Sequence, residues 1–449
     1  MTKRGKGRSA VFDEEEKKLA KWKETIDKTD VPQAELDLAI KQGFQRAKNA
    51  PKVKKRPYIK RGVWSVIVAA VLLITLVTSI RALPAFANVV ASIPGMEKIV
   101  ALIQDNKGLQ AAIDNEYYQL LNHSIEKGGV TLTLDGAIAD EQEMIIFYTV
   151  KGFNEGEQFS GGLPQITDNE GEDIVIRAST DSLNDVDGKG LEQASTVNVQ
   201  FREGINKSNF IFKVKLESDS RSIDYEIPFS LAKEKMPTIH YPINETVSIE
   251  GQNITIKQIE ISPIKVGVHV HVDPSNTKEI FGFEDLRLID DKGEIWSSIT
   301  NGLIASGTSD YGKVYYLQSN YFEQPEGLTL KFNKLQAMDK NEAYVVIDTD
   351  KEIILEQPRD QRFTVKKTTH SLIELYLNGE KEFHHDPFNS FFDAKGKEIG
   401  SMGGGFSRDS DERIEISVRL PDEPYVNPIK LPLYGYPQWI EGKAEIKIK

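Results

Sequence analysis

The spacing of the apolar positions changes twice along the chain and divides it into three regions. Up to about residue 48, apolar side chains recur every three or four residues, which is the period of an amphipathic helix. A continuous apolar run follows at 64–80. From about residue 124, apolar and polar positions alternate, which is the period of a β-strand with one buried face. The pattern therefore predicts a helical head, one long apolar helix and a β-rich remainder.

The head, residues 1–62, contains two predicted amphipathic helices. Residues 11–26 carry acidic side chains in the first turn and lysines later, and the second helix begins at the N-cap residue Asp30, before Pro32. About fifty residues cannot enclose both apolar stripes in a core, so we predict that the stripes bind a partner protein. The alternative is that the helices pack on each other or lie on the membrane. The predicted partner-binding side chains are Trp22, Leu36, Ile40 and Phe44.

The apolar run WSVIVAAVLLITLVTSI at 64–80 contains no charged residue. At 1.5 Å per residue it spans roughly 26 Å, close to the hydrocarbon thickness of a bilayer. We predict one transmembrane helix within residues 63–83. The alternative is a cleaved signal peptide, because ALPAFA at 82–87 resembles a small-residue cleavage site. About sixty residues precede the run, however, whereas signal peptides start within the first few residues.

Charge is distributed unevenly on the two sides of this predicted helix. Residues 1–62 carry 18 Lys and Arg against 9 Asp and Glu, whereas the rest of the chain carries 38 against 59. Six of the basic residues lie between Lys52 and Arg61, where they can contact anionic lipid. The positive-inside rule places the N-terminus in the cytoplasm and the long C-terminal region outside the cell membrane. The basic run is thereby assigned to topology, and we predict no nucleic-acid binding.

The strand pattern of the C-terminal region repeats three times at domain-sized intervals. A turn of the form Asp-x-x-Gly follows a short strand at 168–171, at 290–293 and at 393–396. The aspartate can cap such a turn through its own side chain, and the glycine allows a positive φ. Because the chain has no cysteine, these units are stabilised by packing rather than by disulfides. The predicted fold class is mainly β, with tandem immunoglobulin-like β-sandwiches outside the membrane.

A helical stalk is predicted between the membrane helix and the first β unit. Pro94 and Gly95 interrupt it, a short apolar helix follows, and a second helix with apolar side chains from Leu109 to Leu121 is expected to pack against the first β-domain. The complete predicted division is a head at 1–62, a membrane helix at 63–83, a stalk at 84–123, and three sandwiches at 124–236, 237–350 and 351–449.

Histidines are the residues that best suggest chemistry in this sequence. His269 and His271 lie on the same face of a predicted strand, a spacing that can hold a metal ion. The valines between and around them take the core face, so both histidines are expected to face solvent. His384, His385 and Asp386 precede a proline in a loop and have no Ser or Cys nucleophile context. Neither group predicts a metal site or a catalytic site.

Two loops resemble ligand-binding motifs and fail the comparison in detail. NDVDGKG at 184–190 resembles a calcium loop, but Leu183 and Ala194 stand where the first and twelfth positions require Asp and Glu. The glycines at 403–405 are expected in an exposed hairpin loop and are not followed by a helix that would hold phosphate. No metalloprotease, serine hydrolase or P-loop motif occurs. We therefore predict a non-enzyme with no catalytic residue, no cofactor and no metal.

Two stretches resemble a known but uncharacterised family. SIPGMEKIVALIQDNKGLQAAIDNEYYQLL followed by GGVTLTLDGAIADEQEMIIFYTV is similar to a single-pass membrane-protein family of endospore-forming Gram-positive bacteria, and the resemblance covers about residues 30–152. The C-terminal YPQWIEGKAEIKIK resembles the ends of the same proteins. Some members are labelled anti-sigma factors or negative effectors of extracytoplasmic-function sigma factors. The resemblance brings no catalytic residues, and the His and Cys zinc motif of other anti-sigma factors is absent.

The resemblance and the predicted topology together imply a membrane regulator. Its cytoplasmic head is expected to hold an extracytoplasmic-function sigma factor, and its outer part to sense the state of the envelope. Release of the sigma factor is expected through a shift of the outer part or through cleavage by separate regulatory membrane proteases. The alternative function is an envelope structural or binding protein whose cytoplasmic tail is passive.

Overall fold

The computed structural model describes most of the region after residue 95. The predicted head (1–62), the predicted membrane helix (63–83) and the first part of the predicted stalk lie outside the described residues. In the part that is described, no helix is long and apolar enough to cross a bilayer. The structure describes residues 96–449 except 153–156, 158, 187–190, 233–235, 298–311, 380–382, 384–385 and 411–412.

Two short helices open the described region and form a helical hairpin, defined here as residues 96–114. Helix α1 spans Met96–Ile103 and helix α2 spans Lys107–Asp114. The Asn106 side chain caps α2 by accepting a hydrogen bond from the Leu109 N–H at 3.1 Å. The Gln110 side chain donates to the carbonyls of Ile103 and Gln104, at the end of α1 and directly after it. Both helices show the apolar spacing that predicted them.

The predicted continuation of the second helix to Leu121 is wrong. Helix α2 ends at Asp114, Glu116 has a positive φ of 57°, and a strand begins at Gln119. Leu120 is 63% exposed instead of lying on a buried helical face. The physical reason is that the backbone after Glu116 forms strand hydrogen bonds with the following segment, which outweighs the weak helical spacing of a few apolar residues.

The described residues after the hairpin form three β-sandwiches, here called the first, second and third. In the first, one sheet has the order β1-β2-β3-β8-β6 with β7 also on β8, and the other has β10-β9 with β4 and β5 on the far side of β9. Both sheets line one buried hydrophobic cluster. The strands are β1 Gln119–Lys127, β2 Val130–Ala139, β3 Glu143–Lys151, β4 Ser160–Gly161, β5 Gln165–Asp168, β6 Val175–Thr180, β7 Asn184–Asp185, β8 Glu192–Phe201, β9 Asn209–Glu217 and β10 Ser222–Ser230.

The second sandwich uses strands from two distant parts of the chain. One sheet has the order β11-β12-β13-β17, and the other has β14, β15 and β28 around the long strand β18, with β16 on β15. The two sheets share a second buried cluster. The strands are β11 Ile239–Ile249, β12 Gln252–Ile261, β13 Lys265–Val272, β14 Lys278–Phe283, β15 Arg287–Asp290, β16 Ile295–Ser297, β17 Lys313–Gln318, β18 Leu328–Asp339 and, after the third sandwich, β28 Trp439–Lys447.

The third sandwich lies between β18 and β28 in the sequence. Its sheets have the orders β20-β19-β27-β23-β24 and β21-β22-β26-β25, and they share a third buried cluster. A short 3₁₀ turn at Lys340–Glu342 leads into it. The strands are β19 Tyr344–Asp348, β20 Ile353–Glu356, β21 Phe363–Thr369, β22 Leu372–Asn378, β23 Phe391–Phe392, β24 Glu398–Ile399, β25 Gly403–Ser410, β26 Arg413–Arg419 and β27 Ile429–Pro432.

The Asp-x-x-Gly turns have the same geometry in all three sandwiches. In the first, the Asp168 carboxylate accepts from the backbone N–H groups two and four residues later, both at 2.9 Å. Asp290 and Asp393 make the same two bonds in the second and third. The glycine that closes each turn has a φ between 76° and 84°. The predicted turn chemistry is confirmed, and the turns identify equivalent strands in the three sandwiches.

Alignment by these turns reveals an exchange of strands between the second and third sandwiches. In the first sandwich, β10 follows β9 and pairs with it, on the side opposite β5. The equivalent place beside β18 is taken by β28, and the equivalent place beside β27 is taken by β19. Strand β19, which follows β18 in sequence, therefore completes the third sandwich. Strand β28, which follows β27, completes the second. The third sandwich is an insertion in the second.

This arrangement differs from the division predicted from the sequence. That division assigns β19 to the segment 237–350 and β28 to the segment 351–449, whereas each pairs in the other unit. The hydrogen bond from the Ala337 N–H to the Gln438 carbonyl, at 2.9 Å, brings the two ends of the insertion together. The structure contains the three repeated units. The chain, however, leaves the second sandwich after β18, forms the third, and returns to the second at β28.

Removal of the insertion is expected to leave the second sandwich folded. Replacing 340–437 by a short Gly-rich turn should preserve β28 pairing, because the joined ends are already hydrogen-bonded. Truncation after residue 350 removes the buried Ile440 and Ile446, each worth about 2–5 kcal/mol. Hydrogen exchange of the amides of β18 measures the difference. Equal protection of β18 in both variants would contradict the assignment of β28 to this sandwich.

Candidate functional site

The helical hairpin packs at the junction of the first and second sandwiches. One buried cluster combines its apolar side chains with side chains from both sandwiches, so the hairpin contacts two bodies at once. The stalk was expected to pack against the first β-domain, and the structure adds a contact with the second sandwich. The hairpin contributes Met96, Ile99, Ile103, Leu109, Ala112 and Ile113, the first sandwich Ile138, Ile145 and Phe147, and the second Ile264.

Polar contacts at the start of α2 tie the hairpin to the second sandwich. The Lys107 N–H donates to the Gln318 side chain at 3.2 Å, and that side chain donates to the Asp105 carbonyl at 3.0 Å. The Lys107 ammonium also pairs with Glu294. Gly108 lies so close to Ser319 that an added Cβ would stand 2.6 Å from the Ser319 nitrogen. A glycine is required here for the helix to approach the strand end.

Tyr117, between the hairpin and β1, and Gln119, at the start of β1, also hold the linker between the two sandwiches. The Tyr117 hydroxyl donates to the Ala139 carbonyl at 2.6 Å and accepts from the Met236 N–H at 3.1 Å. The Gln119 side chain accepts from the Ala232 N–H at 2.8 Å. Burial raises the pKa of Tyr117 to about 12, so the hydroxyl stays protonated at every physiological pH. These bonds hold the linker against the segment that enters β1 and, through Ala139, against the end of β2.

A buried ion pair joins the two sandwiches beside the hairpin. Glu143 of β3 pairs with Lys265 of β13, and both side chains are nearly inaccessible, at 8% and 14%. The ammonium lies 3.4 Å from the centroid of the Tyr316 ring. Burial raises the pKa of the Glu143 carboxyl, and the charge of Lys265 opposes the rise. Neighbouring Asp140 accepts from two backbone N–H groups, yet burial raises its pKa too.

Two openings lie at this junction. A cleft of about 680 Å³ is bounded by the C-terminal end of α1, by Asp181 and Asn198 of the first sandwich and by Lys265 and Gln318 of the second. A crevice of about 290 Å³ lies between the sandwiches, with Arg177 on one side. Glu143 and Lys265 border both openings. A molecule bound in the cleft would touch the hairpin and both sandwiches. We therefore take the cleft as the candidate functional site.

The expectation that both strand histidines face solvent is wrong for His269. Its side chain is 11% exposed, because the first sandwich lies over this face of β13 and helps to line the crevice. The His269 Nε2 lies 3.0 Å from a Glu260 carboxylate oxygen, and the His240 Nδ1 lies 3.4 Å from the other oxygen. His271 is more exposed. The valines take the core face of β13, as expected. The prediction for His269 failed because the first sandwich covers the opposite face of this strand.

Asn184, Asp185 and Val186, the described part of the loop that resembles a calcium loop, line the cleft. The other residues considered from the sequence lie outside the described region or are described below. Trp22, Leu36, Ile40, Phe44, His384 and His385 are outside it, as is 187–190 of the loop that resembles a calcium loop.

The three glycines expected in a hairpin loop belong instead to strand β25. Gly404 lies so close to β26 that an added Cβ would stand 2.4 Å from the Ser417 carbonyl oxygen. Close strand pairing therefore accounts for a run that local sequence indicates as a loop.

One acidic group was not singled out from the sequence. Carboxylate oxygens of Asp168, Glu170 and Glu172 lie within 4.8 Å of one another. Asp168 caps its turn, pairs with Lys207 and has a pKa held below its usual range by that lysine. The two glutamates are exposed. The group is accounted for by the geometry of the first Asp-x-x-Gly turn.

Comparison with known proteins adds matches to two families of unknown function. Residues 59–152 match the domain of unknown function DUF4179, and residues 238–366 match the family of unknown function DUF5643. The first range extends from the predicted membrane helix through the hairpin to β3. The second extends from the start of β11 into the inserted sandwich. The curated proteins include no match to the chain.

Among the solved structures that match part of the chain is one from a Bacillus species. It is described as the crystal structure of the conserved domain protein from Bacillus anthracis, with 18% sequence identity and a TM-score of 0.36. The match covers 53% of this chain and 84% of that one.

Removal of the Glu143 charge alone from the buried ion pair is expected to open the junction between the first and second sandwiches. Glu143→Gln leaves the Lys265 charge buried without its partner, which costs about 3–5 kcal/mol. The double replacement Glu143→Leu with Lys265→Met removes both charges and should recover most of that loss. Hydrogen exchange of the β3 and β13 amides measures the effect. The matched control is Glu226→Gln, which breaks an exposed pair with Lys213. Equal exchange in Glu143→Gln and in the control would contradict the coupling.

Proposed function

We propose that the chain is a single-pass membrane regulator resembling anti-sigma factors. In this proposal the head binds a sigma factor in the cytoplasm, residues 63–83 cross the cell membrane, and the three sandwiches, which we take to be immunoglobulin-like, sense the state of the envelope outside. The charge difference across the apolar run and the resemblance to the membrane-protein family support it. The proposal includes no catalytic step.

The observation that carries the proposal is the position of the helical hairpin. Helix α1 begins at Met96, soon after the predicted membrane helix, and the hairpin is buried between two sandwiches at the border of the cleft. A ligand that changes the angle between those sandwiches must also displace the hairpin or break the packing of the hairpin against them. Because the hairpin is the described segment nearest to the predicted anchor, such a displacement is the simplest signal that the outer part could pass to the membrane.

The head is the part that would carry the output. Trp22, Leu36, Ile40 and Phe44 would cover apolar surface of the sigma factor that otherwise contacts RNA polymerase. Displacement of the hairpin, or cleavage near the anchor by separate membrane proteases, would release the sigma factor from the head.

A charged residue on the predicted apolar face of the head should abolish capture of a sigma factor. We expect the full chain, purified in detergent from bacterial membranes, to retain a sigma factor that the Phe44→Asp variant does not retain. The control is Gln42→Asp, which adds the same charge to the opposite side of the predicted helix. Mass spectrometry of the co-purified proteins measures the difference. Absence of a sigma factor from all three samples would favour the alternative, an envelope structural or binding protein.

A side chain at Gly108 should imitate the activating signal. Gly108→Val places a branched side chain against the Ser319 backbone and must push the hairpin out of the junction. We expect higher activity of a promoter that depends on the sigma factor, and faster proteolysis of the hairpin. The control is Gly400→Val, because an added Cβ there has open space around it. Faster proteolysis with unchanged promoter activity would show that the hairpin does not pass a signal to the head.

A further inference from the structure

Strand β25 forms one edge of a sheet in the third sandwich. It pairs with β26 on one side, and in the described part of the chain no other strand pairs with it. From Gly403 to Arg408 its residues are exposed, except Gly405, which is partly buried. An edge strand presents backbone N–H and C=O groups that can pair with a strand of another chain.

Three other edge strands of the sandwiches carry features that oppose such pairing. Strands β1 and β11 contain bulges, and β11 also contains Pro242. Strand β21, at the opposite edge of the same sheet as β25, contains a bulge and the consecutive lysines Lys366 and Lys367. Strand β25 has eight residues without a proline or a lysine, and its bulge lies at its end, after Arg408. The usual protection against strand addition is therefore missing from β25.

The core face of β25 is incompletely covered. Phe406 lies directly opposite Ile416 of β26, and Gly404 lies opposite Val418. Both β26 residues belong to the third buried cluster, and directly opposite residues share a face of the sheet. Phe406 therefore extends the core face to the rim of the sandwich, where it is 42% exposed. A strand added beside β25 would cover this ring.

We propose that β25 pairs with β25 of a second copy of this chain, antiparallel and about a two-fold axis at Gly405. Such an axis is perpendicular to the sheet and keeps the core faces of both copies on the same side. In this register Gly405 faces Gly405 of the other copy, Phe406 faces Gly404, and Ser407 faces Gly403. The pairing joins the two four-stranded sheets into one continuous sheet.

The run of glycines makes this strand sterically complementary to itself. The Phe406 ring of one copy lies over Gly404 of the other, which has no side chain, and can reach Val418 at the border of the core. The one charged residue between Met402 and Arg408 is Arg408, and it faces Met402. No like charges are therefore placed opposite each other, and a second copy fits this edge without crowding.

The position of the bulge favours this register over its neighbour. Pairing centred on Phe406 would bring the bulge after Arg408 into the ladder, whereas pairing centred on Gly405 ends before it. The inference concerns association through the third sandwich and stands or falls independently of the regulator proposed above.

A single cysteine at the proposed axis tests the register. The chain has no cysteine, so Gly405→Cys introduces one thiol. Opposite residues of an antiparallel pair have Cα atoms about 4.5–5.5 Å apart, which is within the range of a disulfide. We expect the full chain in detergent to form a covalent dimer under mild oxidation at least tenfold faster than Gly400→Cys. In both controls and variant the added Cβ has open space. Equal rates in the two variants, or no cross-link in either, would overturn the proposal.

Light scattering of the full chain in detergent tests whether this edge controls association. We expect the parent to pass from monomer to dimer as its concentration rises through the micromolar range. Gly405→Lys should raise the dissociation constant at least tenfold, because the two added ammonium groups stand directly opposite each other. Its circular dichroism should match that of the parent, since a side chain at Gly405 has open space.

The matched control for this measurement is Gly400→Lys, which adds the same charge outside β25 and should associate like the parent. A parent that stays monomeric throughout this range would overturn the proposal. An equal dissociation constant in the parent and in Gly405→Lys would assign the association to another surface and overturn it as well.

Discussion

The structure depends on the need to cover the apolar face of the helical hairpin. Helices of eight residues are not stable in water without tertiary packing. The surface that covers this hairpin is shared by the first two sandwiches, through Ile138, Ile145 and Phe147 on one side and Ile264 on the other. The hairpin folds only when both sandwiches cover its apolar face, so its position depends on both of them. This dependence is the basis of the proposed coupling to the membrane.

The inserted third sandwich imposes a second constraint. Because β28 completes the second sandwich, that unit is finished only when the two ends of the insertion have come together. Contacts between β18 and β28 join residues about one hundred positions apart, and such contacts form late, after most of the loop entropy has been lost. The other contact between units in the described region is the junction of the first and second sandwiches, where the hairpin packs.

Buried charge and histidine are concentrated at that junction. Glu143 and Lys265 compensate each other at low exposure, and Glu260 lies between two imidazoles a few residues away. Burial of such groups is costly unless each has a partner, so their arrangement depends on a defined contact between the sandwiches. A ligand, an ion or a proton that alters one of these pairs would act at the contact itself.

The sequence by itself determined the local features of the protein. Alternating apolar positions predict the strands, and each Asp-x-x-Gly predicts a turn that the structure confirms, because a turn is closed by atoms only two to four residues apart. Tertiary structure alone decided the partner of β28, the end of α2 and the burial of His269. These depend on which distant strand or sandwich supplies hydrogen bonds or cover. A strand with one apolar face fits several sheets equally well by its own pattern, and only the assembled fold selects one.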